Sequence, residues 1–326
     1  MRDSFGREID YMRISITDRC NLRCRYCMPE GVEWLPMEDI LTYEEIERIC
    51  MEAVKLGIRH IKVTGGEPLV RKGCPQLIGR LRAIPGIEAV TITTNGILLE
   101  RYLEDLKRAG VDGINVSLDT LDRDKYRELT GFDCLEEVLS GIRAAVDAGL
   151  KVKVNAVSLD CGAGENGAYG WQALTELARE LPVDVRFIEM MPIGHGKQFE
   201  TVDHKQLLAQ MYEVYPDMEP DERSHGFGPA VYYRFPGFQG SLGLISAIHG
   251  KFCGACNRVR LTSTGYLKTC LCYEDGVDLR PLLREAAEGE ALCMVMERAI
   301  YGKPSAHCFE EPEKITEAHN MSSIGG

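Results

Sequence analysis

Positive charge is what this sequence of 326 residues lacks most: 38 lysines and arginines face 50 aspartates and glutamates, a net charge of −12 with histidine neutral. Such a balance argues against a general nucleic-acid binder, and an anionic ligand would need a local cluster of cations. Long hydrophobic runs are missing too, so no stretch reaches the length of a membrane span. The opening residues, "MRDSFGREID", have no apolar core of the kind that marks a secretory signal. There is no internal repeat and no low-complexity tract. These absences lead to the expectation of a soluble, cytoplasmic protein with no nucleic-acid and no membrane partner. At 44% hydrophobic and 27% charged residues, the composition suits one large globular domain or two smaller ones. Cysteine, by contrast, is plentiful. There are 13, an odd number, and clustered cysteines in a reducing compartment more often bind metal or do chemistry than form disulfides.

The first two-thirds of the chain alternates between strand-like and helical patterns. Short β runs recur at "MRISIT" (12–17), "HIKVTG" (60–65), "AVTITTNG" (89–96), "GINVSLD" (113–119), "KVKVNAVSL" (151–159) and "DVRFIEMMP" (184–192). Between them, "TYEEIERICMEAVKLG" (42–57) opens with a Thr-x-x-Glu capping box and closes on glycine. Residues 97–110 and 134–149 also read as helices ending on glycine. Strand and helix in repetition predict a parallel sheet with right-handed crossovers, here an open or partial barrel of six units. After Pro192 the rhythm fails, and a boundary is expected near 215–235.

The strands carry a second signal. Parallel strands covered on both faces usually read as continuous apolar runs, but these alternate. Arg13, Ser15 and Thr17 share one face, and Met12, Ile14 and Ile16 share the other. The same split sets Lys62 and Thr64 apart, then Thr91, Thr93 and Asn95, then Asn115, Ser117 and Asp119, then Lys151, Lys153 and Asn155, with Arg186 in the sixth run. Either the sheet is half exposed and these residues are solvated, or they line a polar lumen. Because helices should cover the outer face, the lumen is the sharper reading. Arg13, Lys62, Lys153 and Arg186 would then make a positive interior suited to a small polyphosphate.

Two groups of cysteines stand out. "CNLRCRYC" places Cys20, Cys24 and Cys27 directly after the first strand, at the carboxyl edge where barrel enzymes keep their sites. Three thiolates can hold three irons of a [4Fe–4S] cube and leave the fourth open. A structural zinc ion usually takes four protein ligands, and no fourth is obvious nearby. The second group, "KFCGACNRVRLTSTGYLKTCLC" (251–272), holds Cys253, Cys256, Cys270 and Cys272 with Arg258 and Arg260 behind the second. Alone, its four thiols could close a zinc tetrahedron.

C-x3-C-x2-C with Tyr26 before the last cysteine, followed by "TGGEP" (64–68), resembles the signature of the radical S-adenosylmethionine (SAM) superfamily. Taken in order, "MRISITDRCNLRCRYCMP", "TGGEPLVR", "TTNG", "NVSLD", "VKVN", "RFIEMMPIG", "FCGACNRVRL" and the final "IGG" resemble the GTP 3′,8-cyclases of molybdenum cofactor biosynthesis over nearly the whole chain. The resemblance implies an α/β fold: a partial (β/α)6 TIM-like radical SAM barrel with a cluster-bearing C-terminal extension closing its open side. Residues 1–225 would form the barrel. Residues 226–326 would form a second-cluster and substrate-binding domain with a Gly-Gly tail.

The resemblance also implies the chemistry. SAM on the open iron of a Cys20–Cys24–Cys27 cluster gives a 5′-deoxyadenosyl radical, hydrogen leaves C3′ of GTP, and C3′ bonds to C8. A second [4Fe–4S] cluster sits on Cys253, Cys256 and Cys270. SAM contacts fall on Tyr26, Gly66, Glu67, Asn95, Ser117, Arg186 and Met191. GTP contacts fall on Arg13, Lys62, Thr93, Lys153, Arg258 and Arg260, and catalytic roles on Arg258, Arg260, Gly325 and Gly326. Lys62 stands where arginine is expected, which keeps the charge but not bidentate phosphate binding. Implied partners are an electron donor such as flavodoxin or ferredoxin, a downstream cyclic pyranopterin monophosphate synthase, and a second copy in a homodimer. Two rivals stay open: a peptide-modifying radical SAM enzyme, and a zinc-stabilised binding module using all four late cysteines.

The rest of the chain reads as structural. Cys50, Cys74, Cys134, Cys161, Cys293 and Cys308 look isolated and suited to small apolar positions. Cys272 is expected to point the same way as Cys270 in an extended segment and to remain a free thiol. His195, His204 and His249 read as hydrogen-bonded structural residues. "DCGAGENGAYGW" (160–171) reads as a loop, and the acidic run "FEEPEKITEAH" as a solvated helix face.

Overall fold

The computed structural model describes residues 1–28, 31, 34–159, 170–285 and 289–324. Gly325, Gly326, Cys161 and most of the glycine-rich loop lie outside the described residues. All six expected strands form: β1 (Tyr11–Ser15), β2 (His60–Thr64), β3 (Ala89–Thr94), β4 (Gly113–Ser117), β5 (Val152–Ser158) and β6 (Asp184–Glu189). They pair in sequence order, each parallel to the next. The crossovers are α1 (Tyr43–Lys55), α2 (Cys74–Arg82), α3 (Leu99–Ala109), α4 (Arg123–Thr130) with α5 (Leu135–Asp147), and α6 (Trp171–Glu180). The capping box of α1 is complete: Thr42 Oγ1 accepts from the Glu45 N–H at 3.1 Å, and Glu45 Oε2 accepts from the Thr42 N–H at 2.7 Å.

After α7 (His204–Val214) the chain returns to the same sheet. β7 (Glu219–Pro220), β8 (Val231–Arg234) and β9 (Leu242–Ile245) extend one edge, with β9 parallel to β6. β10 (Arg258–Leu261), β11 (Tyr266–Lys268) and β12 (Gly276–Asp278) extend the other, with β10 parallel to β1. Among the described residues, one open sheet of 12 strands results. The C-terminal part thus lengthens both edges of the six-stranded core. It ends in α8 (Arg280–Arg284) and α9 (Gly289–Tyr301), and α9 packs on α1.

Alternation in the strands becomes two faces. Met12, Ile14, Val63, Ile92, Val116 and Val154 are fully buried against the helices, each contributing roughly 1.5–3 kcal/mol by leaving water. The opposite, polar face is largely enclosed: Thr64, Asn115 and Arg186 are 2%, 4% and 7% exposed, while Arg13, Lys62, Thr93, Lys153 and Asn155 are half-buried and Lys151 is exposed. Apart from Lys151 these residues face an interior rather than open solvent, as the lumen reading expects. The acidic run near the end departs from its expectation. Instead of a helix it has one short turn, Pro312–Lys314, and Glu317 is buried in an ion pair with Lys268.

Candidate active site

Both cysteine trios open onto one cavity of about 320 Å³ at the carboxyl ends of the strands. Its walls bring together Cys20, Cys24 and Cys27, then Cys253, Cys256 and Cys270, and with them Arg13, Arg258 and Arg260. Tyr26, Gly66, Thr93, Asn95, Ser117 and Met191 also line it. Lys62, Lys153, Arg186 and Glu67 do not; they sit elsewhere in the barrel.

The first trio lies on a loop fixed from two sides. The Arg23 and Arg25 N–H groups donate to carbonyls of Thr130 and Leu129 at the end of α4, at 2.8 and 3.0 Å. The "TGGEP" turn presses against the other side, with the Gly66 N–H on the Thr17 carbonyl at 2.7 Å and the Glu67 N–H on Arg19 at 2.8 Å. A Cβ on Gly66 would stand 2.4 Å from the Arg19 carbonyl oxygen, and one on Gly65 2.7 Å from that of Thr17. Only glycine permits this approach. The Glu67 carboxyl is spent inside the protein: it accepts from the N–H groups of Leu69 and Asn95 and from the Thr94 hydroxyl, at 3.0, 2.6 and 2.8 Å. Burial pushes it up to about 7. Asn95 reaches back to Asn21 at 2.7 Å and to Cys20 Sγ at 3.8 Å. Tyr26 donates to Asp119 Oδ2 at 2.6 Å, a fixed aromatic wall beside the thiols.

The second trio is held from the chain's beginning and from its end. The guanidinium of Arg7, paired with Asp3, donates to the carbonyls of Cys253, Pro304 and Ser305 at 2.9, 2.6 and 2.9 Å. The His307 N–H donates to Cys253 Sγ at 3.5 Å. Lys303, buried on the cavity wall, donates to the Thr269 carbonyl beside Cys270. Burial pushes the Cys256 thiol up, but Lys303, Arg258 and the Arg258 N–H together outweigh it and leave the group below its ordinary value. A thiolate there faces cations.

Which metal group fits can be read from spacing. Thiolates around one zinc ion stand about 3.8 Å apart, given Zn–S bonds near 2.3 Å. Among the described residues, the three ligand atoms within 4.8 Å of one another belong to Glu189, Asp203 and His249. Neither cysteine trio is that tight. A cube with one thiolate per iron spreads its ligands further, and three thiols on one cavity wall match it in number and ligand type. The Glu189 group is a hydrogen-bond network: the carboxylate takes His249 Nδ1 at 2.9 Å and the N–H of Ile248 at 2.6 Å.

Cations dominate the lumen. Register sets Arg260, Arg13 and Lys62 side by side on β10, β1 and β2. Burial pushes Arg260 down to about 9, with Arg13 and Arg258 adding repulsion, and its Nε has no hydrogen-bond partner among the described residues. Lys62 lies well below its ordinary value, chiefly through burial and then through Arg186, Arg13, Lys153 and Arg258. The Thr93 hydroxyl is likewise buried without a partner among the described residues. Unpartnered donors amid crowded positive charge fit a polyanion. Two cations are already engaged. Arg186 donates from Nε to Asn155 at 2.9 Å and from Nη2 to Asn115. Lys153 pairs with Asp184 at 3.0 Å and donates to Tyr232 Oη at 3.0 Å.

Two cysteine expectations fail. Residues 269–273 bend rather than extend, so Cys272 does not line the cavity with Cys270 and is buried in a small core with Ile193, Phe309 and Ile324. Cys308 is not isolated, because its sulfur touches that of Cys272. His204 keeps its structural role, bonded to Ser158 and Ser246 at 3.0 Å each. Sequence reasoning missed Arg7, Asp119, Lys303 and His307 as parts of the site. Only Asp119 carried a signal, its place in the polar alternation.

Comparison with known proteins adds the following. The Radical SAM superfamily profile matches residues 14–177, and the Molybdenum Cofactor Synthesis C profile matches residues 183–309. The chain is 40% identical over 327 residues to the GTP 3′,8-cyclase of Clostridium perfringens (strain 13 / Type A), covering 100% of both chains. It is 44% identical over 328 residues to that of Geobacter sulfurreducens, covering 99% of each. Among solved structures, Streptococcus suis SuiB bound to S-adenosylmethionine superposes with a TM-score of 0.66 at 14% identity, over 96% of this chain and 76% of that one. At that identity the likeness concerns the fold alone. No described helix is long and apolar enough to cross a membrane.

Proposed function

The chain belongs to the GTP 3′,8-cyclases of the radical SAM superfamily, and on that premise we propose how its own residues divide the work. The enzyme is a lyase acting on GTP early in molybdenum cofactor biosynthesis, with SAM and two [4Fe–4S] clusters as its cofactors. A [4Fe–4S] cluster held by Cys20, Cys24 and Cys27 would, together with SAM, supply the radical chemistry by which GTP is cyclised between C3′ and C8.

Cys20, Cys24 and Cys27 hold the first cluster, and Cys253, Cys256 and Cys270 the second. Gly66 lets loop backbone approach the SAM amino group. Tyr26, fixed by Asp119, and Asn95, Ser117 and Met191 close the SAM side. Glu67 serves the same site at one remove by holding Asn95 and Leu69. Arg258, Arg260 and Arg13 take the phosphates of GTP, with Lys62 deeper and the Thr93 hydroxyl alongside. Lys153 joins them by exchanging Asp184 for phosphate. Arg186, locked by Asn115 and Asn155, adds fixed positive charge between the two ligands. Gly325 and Gly326 complete the site through backbone and carboxylate alone. Residues 1–225 act as the barrel unit and 226–326 as the substrate-binding unit. The enzyme works in the cytoplasm, takes electrons from a flavodoxin or ferredoxin, passes product to cyclic pyranopterin monophosphate synthase, and pairs as a homodimer.

One observation carries this reading: two separate cysteine trios and three arginines wall a single cavity. Reconstituted protein without air, given GTP, SAM and a reductant, should yield methionine, 5′-deoxyadenosine and 3′,8-cyclised GTP. Colourless, zinc-bound protein with unchanged GTP would overturn it.

A further inference from the structure

Cys272 and Cys308 are the two cysteines of the second wall outside the ligand set. Their sulfurs stand 3.3 Å apart, although 36 residues separate them in sequence. The Cys308 N–H also donates to Cys272 Sγ at 3.3 Å. Both thiols are buried, Cys272 fully and Cys308 at 8% exposure. Burial of one cysteine needs no more than its small apolar volume. Two sulfurs in contact, brought from distant segments, are a different arrangement. The segments matter: Cys272 follows the ligand Cys270 by two residues, and Cys308 follows His307, which bonds Cys253 Sγ.

We propose that Cys272 and Cys308 form a reversible oxidation site, a dithiol that closes to a disulfide across the wall of the second trio. The oxidant is a hydroperoxide. Cys308, the more exposed thiol, takes its terminal oxygen to become a sulfenic acid, and the hydroperoxide leaves as an alcohol. The Cys272 sulfur then attacks Cys308 Sγ, the S–S bond forms, and the oxygen departs as water with both thiol protons accounted for. Two electrons have passed from the pair to the peroxide. A thiol reductant restores the pair by exchange.

Closure has a mechanical consequence. A disulfide needs its sulfurs about 2.05 Å apart, so the contact must shorten by more than 1 Å inside a packed core. The shift passes to Cys270 and Leu271 on one side and to His307 and Phe309 on the other, all lining the cavity. Misplacement on that scale costs a reaction on the order of 10- to 100-fold. The disulfide form is therefore an idle form of an intact enzyme. This consequence rests on the cyclase reading, whereas the cross-link itself does not.

The test uses anaerobic, cluster-loaded enzyme treated with stoichiometric tert-butyl hydroperoxide. Peptide mass spectrometry should find Cys272 joined to Cys308. GTP turnover should fall by roughly tenfold or more with iron content unchanged, and dithiothreitol should restore both. Cys308→Ala and Cys272→Ala enzymes should turn over normally and resist the treatment. Sulfinic acid at Cys308 without a cross-link, loss that follows iron release, or equal sensitivity in both alanine variants would each overturn the proposal. A cross-link found in protein that never cyclises GTP would leave the oxidation site standing and remove the cyclase reading.

Discussion

Replacing Lys62 by arginine keeps a cation in the lumen but removes its ability to give up a proton. The parent lysine is buried among Arg186, Arg13, Lys153 and Arg258 and sits well below its ordinary value. In the unfolded chain it titrates at about 10.4. Between those two values the unfolded chain holds the extra proton. Folding stability from this group therefore rises with pH across the window and falls as acid forces the buried amine to charge, by about 1.4 kcal/mol for each pH unit that separates the two values. A bound triphosphate reverses the balance. It raises the amine toward its ordinary value, so between the free and bound values GTP binding takes up as much as about one proton. Affinity in that interval should fall by up to about tenfold per pH unit as pH rises. Calorimetry near pH 8 isolates the effect, since a phosphate second pKa of roughly 6 leaves GTP fully ionised. Arg260 beside it, although lowered by burial, is an arginine and keeps its proton there. GTP is titrated without reductant in two buffers of different ionisation enthalpy, and the slope of heat against that enthalpy counts protons. Uptake should be seen in the parent and vanish in Lys62→Arg with affinity retained. Equal uptake in both proteins, or none in the parent, refutes the reasoning.

Other expectations are simpler to read. Iron analysis should give about eight irons per chain, and about four after Cys20, Cys24 and Cys27 are all replaced by alanine; full loading in that variant removes the first cluster assignment. Arg258→Ala and Arg260→Ala should each weaken GTP binding by about 1.5–3 kcal/mol while SAM binding holds; unchanged calorimetric affinity in both makes the arginines structural. Cys270→Ala should lose turnover and most of the second cluster's iron and sulfide. Deleting Gly325 and Gly326 should abolish turnover with both clusters retained, and parent-like activity in the truncated enzyme ends their proposed role.

Local patterns make the barrel legible. Period-two alternation marks five of the six core strands, and the Thr42–Glu45 box marks the start of α1 to the residue. Long-range pairing is not legible. Nothing in "NRVRL" says that it lies beside β1, yet that pairing brings Arg258 and Arg260 to Arg13. Arg7 and Lys303 are invisible for the same reason, since the carbonyls they hold belong to segments far away in the chain. The acidic tail misleads at one residue: Glu310, Glu311 and Glu313 are exposed as a run of charges suggests, whereas Glu317 is buried against Lys268 behind the "TCLC" turn. Cys272 misleads because its segment reads as extended where the chain bends.

The cation belt itself shows why the polar face is the strongest clue. Like charges directly across adjacent strands are destabilising, and this sheet sets Arg260, Arg13 and Lys62 in one row. Burial deepens the cost, because each charge also loses its water. A polyanion that neutralises the row binds the folded state and not the unfolded one, so it must stabilise the fold by mass action. At GTP 100-fold above its dissociation constant that linkage is worth about 2.7 kcal/mol. The row that weakens the empty barrel is thus the feature that couples the barrel to its substrate.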